Sequence, residues 1–309
     1  MHSDKKHTPV HLAVLLAGIV AASTSVLFIK ASTINPVLLA SYRLIAATIF
    51  LLPLFVRDVR RHHAVWSRRD VLTSILPGII LGLHFITWIT GARLTPAANA
   101  SLIVCLVPLV TPFLLAAIVH EKLTRPEIIA TCIALSGVLW LGYADYTINI
   151  SYVRGDSICF GSMLLFALYL VLARRNRHVA SVWLYVVPLY AIAGVFCFIC
   201  ALFVTSPITT YTGLDIIAIF GLALIPTVLG HSSLNYAMKF FRGQVVSVLA
   251  MGEFIVASVL AWFIFKEVPH ISFYITSLAV IISAAIILRT TFQRADPDGV
   301  ASHSTGQRD

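Results

Sequence analysis

Apolar runs of about twenty residues recur along this chain, separated by short polar turns. They fall near 11–29, 36–56, 71–91, 97–119, 127–145, 155–173, 182–205, 215–237, 244–265 and 270–288. A helix needs ~20 mostly apolar residues to cross a bilayer, so the pattern predicts ten transmembrane helices. The shortest turns make helices 1/2, 3/4, 4/5 and 9/10 tight hairpins. Pro36, Pro96, Pro126 and Pro269 stand at or near predicted helix starts, where a missing N–H costs little. The first run follows Lys5 and Lys6 but is too long for a typical signal-peptide core and lacks a clear cleavage site, so it is expected to be a retained first helix.

Composition agrees with this pattern. The 309 residues are 59% hydrophobic and 11% charged, against roughly 25% charged in soluble domains. The net charge of +9 is scattered through short loops rather than gathered on one face, which argues against a nucleic-acid partner. Loop charge also sets orientation. With the N-terminus cytoplasmic and ten spans, seventeen Lys and Arg residues fall on the cytoplasmic side. Only Lys30, Arg93, Arg154 and Lys266 fall on the other, and Arg43 lies inside a span. This bias predicts that both termini are cytoplasmic. Trp88, Trp140, Trp183 and Trp262 lie near predicted helix ends, where an aromatic belt forms. The tail from Gln293 to Asp309 is polar and expected to be disordered. The five cysteines all sit in apolar runs, as small hydrophobes do.

Shifting the sequence by 146 residues lays the third to fifth spans on the eighth to tenth without a gap. Ser101 falls on Ser247, Val110 on Val256, Leu114 on Leu260, Ile118 on Ile264 and Glu121 on Glu267; Arg93 falls on Lys239 and His120 on Lys266. Five spans per half is odd, so the second copy lies inverted relative to the first. Inverted repeats recur in secondary transporters, with the substrate site near mid-membrane at the repeat interface. The predicted organisation is a cytoplasmic segment at 1–10, repeats at 11–145 and 155–288, and a cytoplasmic tail at 289–309.

The chain resembles the EamA family of the drug/metabolite transporter superfamily over Leu12 to Leu288. The likeness rests on Asn35-Pro36 followed by Tyr42-Arg43, on the stretch from Ala100 through Pro108 to Glu121, and on its echo from Ser247 through Glu253 to Glu267. It implies an all-α integral membrane protein, a ten-helix carrier of small metabolites such as amino acids or related compounds, often an exporter. The family usually has Glu-Pro where this chain has Glu253-Phe254, and the missing proline removes the expected cause of a kink there.

Arg43 and Glu253 are the full charges lodged well inside apolar runs, and intramembrane charges are functional candidates by default. Glu253 lies about 14 Å into the ninth helix at ~1.5 Å per residue. It suits binding a cationic group or exchanging a coupling proton; the alternative is a structural Glu bonded to a neighbouring helix. Arg43 suits clamping a carboxylate or phosphate with its planar fork, or else snorkels or bonds loop carbonyls. His84 and His231 lie 37 and 36 residues before Glu121 and Glu267, at similar depths from opposite faces, and either line a pathway or are packed and hydrogen-bonded. Tyr42, Trp88, Asn99, Asn235 and Tyr236 are cavity candidates or interhelical glue. Pro108 and Pro112 should bend the fourth helix and free backbone carbonyls, with gating as one use. Gly78-x-x-x-Gly82 allows close helix approach. Glu121 and Glu267 end helices where a carboxylate opposes the dipole, so a basic partner is expected.

No phosphate-cradling glycine loop, metal-ligand cluster or nucleophile elbow is present in the sequence. The expectation is therefore a non-enzymatic secondary transporter of a small organic metabolite in a bacterial inner membrane. It uses alternating access and export, with a small-molecule substrate, a lipid bilayer and a coupling proton as partners, and no metal or cofactor. The alternatives are a passive channel, a membrane structural protein or, less favoured, an integral-membrane enzyme.

Overall fold

The computed structural model describes residues 8–145, 150–208, 210–265 and 271–295, and among these every regular element is helical. In chain order they are α1 (Thr8–Ala22), α2 (Ser25–Ala31), α3 (Pro36–Arg61), α4 (Arg68–Leu72), α5 (Ile75–Leu94), α6 (Ala97–Val104), α7 (Val107–Leu114), α8 (Arg125–Asp145), α9 (Ile150–Arg175), α10 (Val182–Leu202), α11 (Gly213–Leu222), α12 (Ser232–Phe240), α13 (Gly243–Ala250), α14 (Gly252–Phe265) and α15 (Ile271–Ala295). Two π-helical stretches, Leu115–Val119 and Ala223–His231, extend α7 and join α11 to α12.

Nine stretches among the described residues are long and apolar enough to cross a membrane. The remaining expected span is the 21-residue α8, about 31 Å long at ~1.5 Å per residue. Local chemistry sets the ends. Asn35 accepts from Val37 N at 3.0 Å and caps α3 just ahead of Pro36. Thr212 and Asp215 form a reciprocal capping box that starts α11.

The polar tail expected from residue 289 is helical as far as Ala295. The Thr290 and Thr291 hydroxyls return bonds to the carbonyls of Ile286 and Ile287, so these polar residues continue the helix instead of ending it. The expectations for Lys5, Lys6, Lys266, Glu267, Pro269 and Arg308 lie outside the described residues.

Helix partners follow a twofold plan. α3 packs on α10 and α8 on α15, which pairs span 2 with span 7 and span 5 with span 10. α5 packs on α9 while α1 packs on the Ala223–His231 stretch and α12, so 3/6 and 8/1 are equivalent contacts. α7 meets α13, which are parts of spans 4 and 9. The two repeats are therefore interlocked rather than laid side by side. The Gly78/Gly82 face receives α10: a Cβ on Gly82 would stand 2.8 Å from Phe196 Cδ1, closer than carbon contacts allow.

Candidate functional site

Spans 4 and 9 are both discontinuous, and at equivalent places. Span 4 breaks at Cys105–Leu106, where Leu106 N bonds Ile103 O at 3.1 Å instead of continuing the α-helical ladder. Pro108 explains the break, because it has no N–H to offer the carbonyl of Val104. Span 9 breaks at Met251, whose N bonds Val248 O at 3.2 Å. No proline is needed here: Gly252, a poor helix former, follows directly. The two breaks are 146 residues apart in sequence and touch, with Cys105 Sγ 4.0 Å from Met251 O.

A pocket opens at this junction, walled by residues one repeat length apart: Ser101 and Ser247, Val104 and Ala250, Cys105 and Met251, Val107 and Glu253, Pro108 and Phe254. Trp88 and Phe166 add aromatic surface. The pocket has about 480 Å³ of open space, counting its mouth.

Glu253 is the ionisable carboxyl in the wall. Among the described residues its carboxylate has no hydrogen bond and no basic nitrogen within 4.0 Å. Arg43 is therefore not its ion-pair partner in this conformation.

Arg43 belongs to a separate buried layer. Its side chain is fully buried, and Nε and Nη2 donate to Thr227 Oγ1 at 3.0 and 2.8 Å. Thr227 sits in the wide Ala223–His231 turns, and its hydroxyl donates to Leu222 O at 2.7 Å. The guanidinium carbon stands 4.0 Å over the Phe85 ring, and Nη1 has no protein partner. The snorkelling expected as one alternative for Arg43 does not occur, because hydroxyl and ring contacts meet the head group inside the bundle.

The other expected residues distribute around these two centres. His84 Nδ1 lies 3.0 Å from Ser162 O and 2.9 Å from Ser162 Oγ, a packed and bonded histidine. His231 meets Phe85 edge-on at 4.9 Å, and its Nδ1 is unpartnered. Asn235 donates to Tyr169 Oη and, at 2.8 Å, to His231 O. Tyr42 pairs with Tyr211 at 2.8 Å, away from the pocket. Tyr236 bonds His11 at 2.7 Å near the start of α1. Asn99 is buried in α6. Trp88 and Pro108 reach the pocket wall; Trp88 is thus buried there rather than in the aromatic belt, whereas Trp140 and Trp262 are exposed on the outer surface. Pro112 lies inside α7. Its missing N–H leaves the carbonyl of Pro108 open, and Gln244 Nε2 from the second repeat donates to it at 3.2 Å.

Sequence reasoning did not single out Ser101, Ser247, Cys105 or Met251 as lining, although the 146-residue offset already paired Ser101 with Ser247. It also missed Gln244 and Glu127. Glu121 has the basic partner expected at a helix end, but supplied from elsewhere: Arg174 Nε at 3.0 Å and Arg242 Nε at 3.9 Å. Glu127 binds Arg242 at 2.5 and 3.2 Å. Burial alone lowers the proton affinity of Arg242, but Glu127 and Glu121 outweigh it and raise it above the usual guanidinium value. At the opposite end of the bundle, Arg93 donates to the carbonyls of Ile29, Ser32 and Ile34. Asp215 there receives Ser32 Oγ and Thr33 N at 2.9 and 2.7 Å.

Comparison with known proteins agrees with this architecture. A solved crystal structure superposes with a TM-score of 0.72 over 90% of this chain and 96% of its own, at 17% identity, which shows a shared fold. The "Uncharacterized transporter YyaM" of Bacillus subtilis (strain 168) is 28% identical over 139 residues, 43% of this chain and 44% of its own length. The "WAT1-related protein At1g68170" of Arabidopsis thaliana is 32% identical over 116 residues, 37% of this chain and 32% of its own length. The matches thus span less than half of either relative. The family model described as the EamA-like transporter family matches residues 8–143 and again 153–289. With both copies of that unit covering most of its length, this multi-pass membrane protein belongs to the EamA-like transporter family.

Proposed function

We propose that this chain is a secondary carrier that exports a small organic metabolite, an amino acid or related compound, by alternating access through the Glu253 pocket. The observation that carries this reading is the pocket's place: it lies where two repeat-equivalent helix breaks meet, so moving the group of spans 3, 4 and 6 against its counterpart, spans 8, 9 and 1, changes its walls. Glu253 is the polar anchor of the cavity. With no hydrogen bond or close cation among the described residues, its carboxylate suits a cationic group of the cargo or a coupling proton. The excess of Lys and Arg on one set of loops supports cytoplasmic termini in a bacterial inner membrane.

The test is flux into liposomes holding the purified protein. A carrier gives saturable uptake that is accelerated by substrate loaded on the opposite side. Linear flux without counter-stimulation would make the protein a channel, and no flux with any metabolite that accumulates outside overproducing cells would leave a structural role. A second expectation concerns coupling: flux through the wild type varies with pH, and Glu253→Gln removes that variation. Unchanged pH dependence in the variant would take Glu253 out of the coupling step.

A further inference from the structure

The half-helix α13 is held to the first repeat along its length. Arg242, just before it, binds Glu127 at 2.5 and 3.2 Å. Gly243 N, the first amide of the helix, donates to Glu121 Oε1 at 3.0 Å. Gln244 Nε2 donates to Pro108 O at 3.2 Å and Thr131 Oγ1 at 2.8 Å. One turn on, Ser247 Oγ donates to Thr111 Oγ1 at 3.2 Å. Arg174, at the end of α9, completes the cluster on Glu121 at 3.0 Å and ties itself to Met238 O at 2.9 Å.

The charges are sorted by repeat. Both carboxylates come from the first repeat, and both guanidiniums come from the second. The side chains of Arg174, Glu121 and Glu127 are 7%, 10% and 3% exposed. This is not a surface ion pair of little consequence; removing either sign leaves buried charge uncompensated. Beyond the break at Met251, Glu253 in α14 has no hydrogen bond among the described residues. The repeat mate of α13 differs in sequence at its start: where α13 begins Arg242-Gly243-Gln244, α6 begins Pro96-Ala97-Ala98.

We infer that α13 is a gate hinged at Met251–Gly252, and that the two-carboxylate, two-guanidinium strap is the lock that keeps the Glu253 pocket shut toward the Glu121 end of the molecule. Its use in transport rests on the carrier reading; its existence does not. Opening needs the strap to part, because α13 cannot swing from α7 and α8 while Arg242, Gly243 and Gln244 are bonded across the seam.

Cys105 lines the pocket and serves as the reporter. Full-length protein with Cys132, Cys159, Cys197 and Cys200 replaced by Ala is placed in vesicles and exposed to a membrane-impermeant maleimide on each side in turn. A separate Arg125→Cys variant, at an exposed position beside the strap, identifies which side is which. Glu121→Gln with Glu127→Gln should speed labelling of Cys105 from the Arg125 side about fivefold or more, the scale of a typical coupling between sites, with no rise from the opposite side. The exchange Glu127→Arg with Arg242→Glu keeps the pair and should label like the parent. Unchanged labelling from the Arg125 side in the double Gln variant overturns the lock. So does an equal rise from both sides, which reports general loss of packing, and so does an exchanged pair that labels as fast as the double Gln variant. If the double Gln protein does not fold, Glu127→Gln alone and the exchange decide the matter by the same criteria. Flux is measured on the same vesicles: absent saturable flux with the labelling pattern intact removes the carrier reading and leaves the gate.

Discussion

Glu253 and Arg43 look alike in sequence, each a lone charge in an apolar helix, but the fold surrounds them differently. Glu253 lines a pocket at the repeat seam, with no donor on its carboxylate among the described residues. Arg43 is walled in, its head shared between Thr227 and the Phe85 ring. A charge that the protein leaves unpaired beside a cavity is available to something that enters it. A charge bonded on two donors and covered on one face is first of all part of the packing. The common rule that intramembrane charges mark function therefore separates into two cases, and the separating observation is what holds each head group.

The largest effect expected from this contrast is in flux. Glu253→Gln should lower flux and remove its pH dependence while the melting temperature stays that of the wild type; wild-type flux with wild-type pH dependence would erase the distinction. Arg43→Ala comes next and should act on stability. The lost side chain leaves a cavity and an under-bonded Thr227, at a cost of about 3 kcal/mol, read as a lower melting temperature in detergent. Arg43→Met fills the same space without the charge, and should recover most of that loss, because apolar replacements of buried charge are often neutral. If Arg43→Met is stable but transports nothing, Arg43 joins Glu253 as a transport residue. Gly252→Ala should have the smallest effect. Its Cβ would meet Ile19 Cγ2 at 3.7 Å, an ordinary contact. The substitution therefore adds up to about 1 kcal/mol of stability through helix propensity and slows flux if span 9 must flex at its break.

The spans were legible because twenty-residue apolar runs have few other interpretations, and the duplication was legible because charged ends recur at one fixed spacing. Glu253 and Trp88 were candidates by residue type, each beside a structural alternative, and both line the pocket. The break in span 9 was not legible: the proline that marks such breaks is absent at Phe254, and a lone glycine in an apolar run carries little information. Nor was Thr227 as the acceptor for Arg43, since 184 residues separate them and a threonine in a helix more often bonds its own backbone. The strap was half visible. Glu121 called for a cation, but nothing local showed that Arg174 and Arg242 would come from the other repeat. Arg43 was weighed as a carboxylate clamp; the structure gives it protein partners, and its unpartnered Nη1 alone supplies no second residue for such a clamp.

The nine residues from Ala223 to His231 wind more loosely than an ordinary helix, and this has a geometric result. Each residue of an α-helix turns the chain by about 100°, so one surplus residue in a wide coil rotates everything downstream by that angle. The facing of Asn235 toward Tyr169, and of Tyr236 toward His11, is thus set by winding upstream as much as by the side chains themselves. Excising a single residue from that coil would aim both at new neighbours while leaving the composition of the span almost untouched.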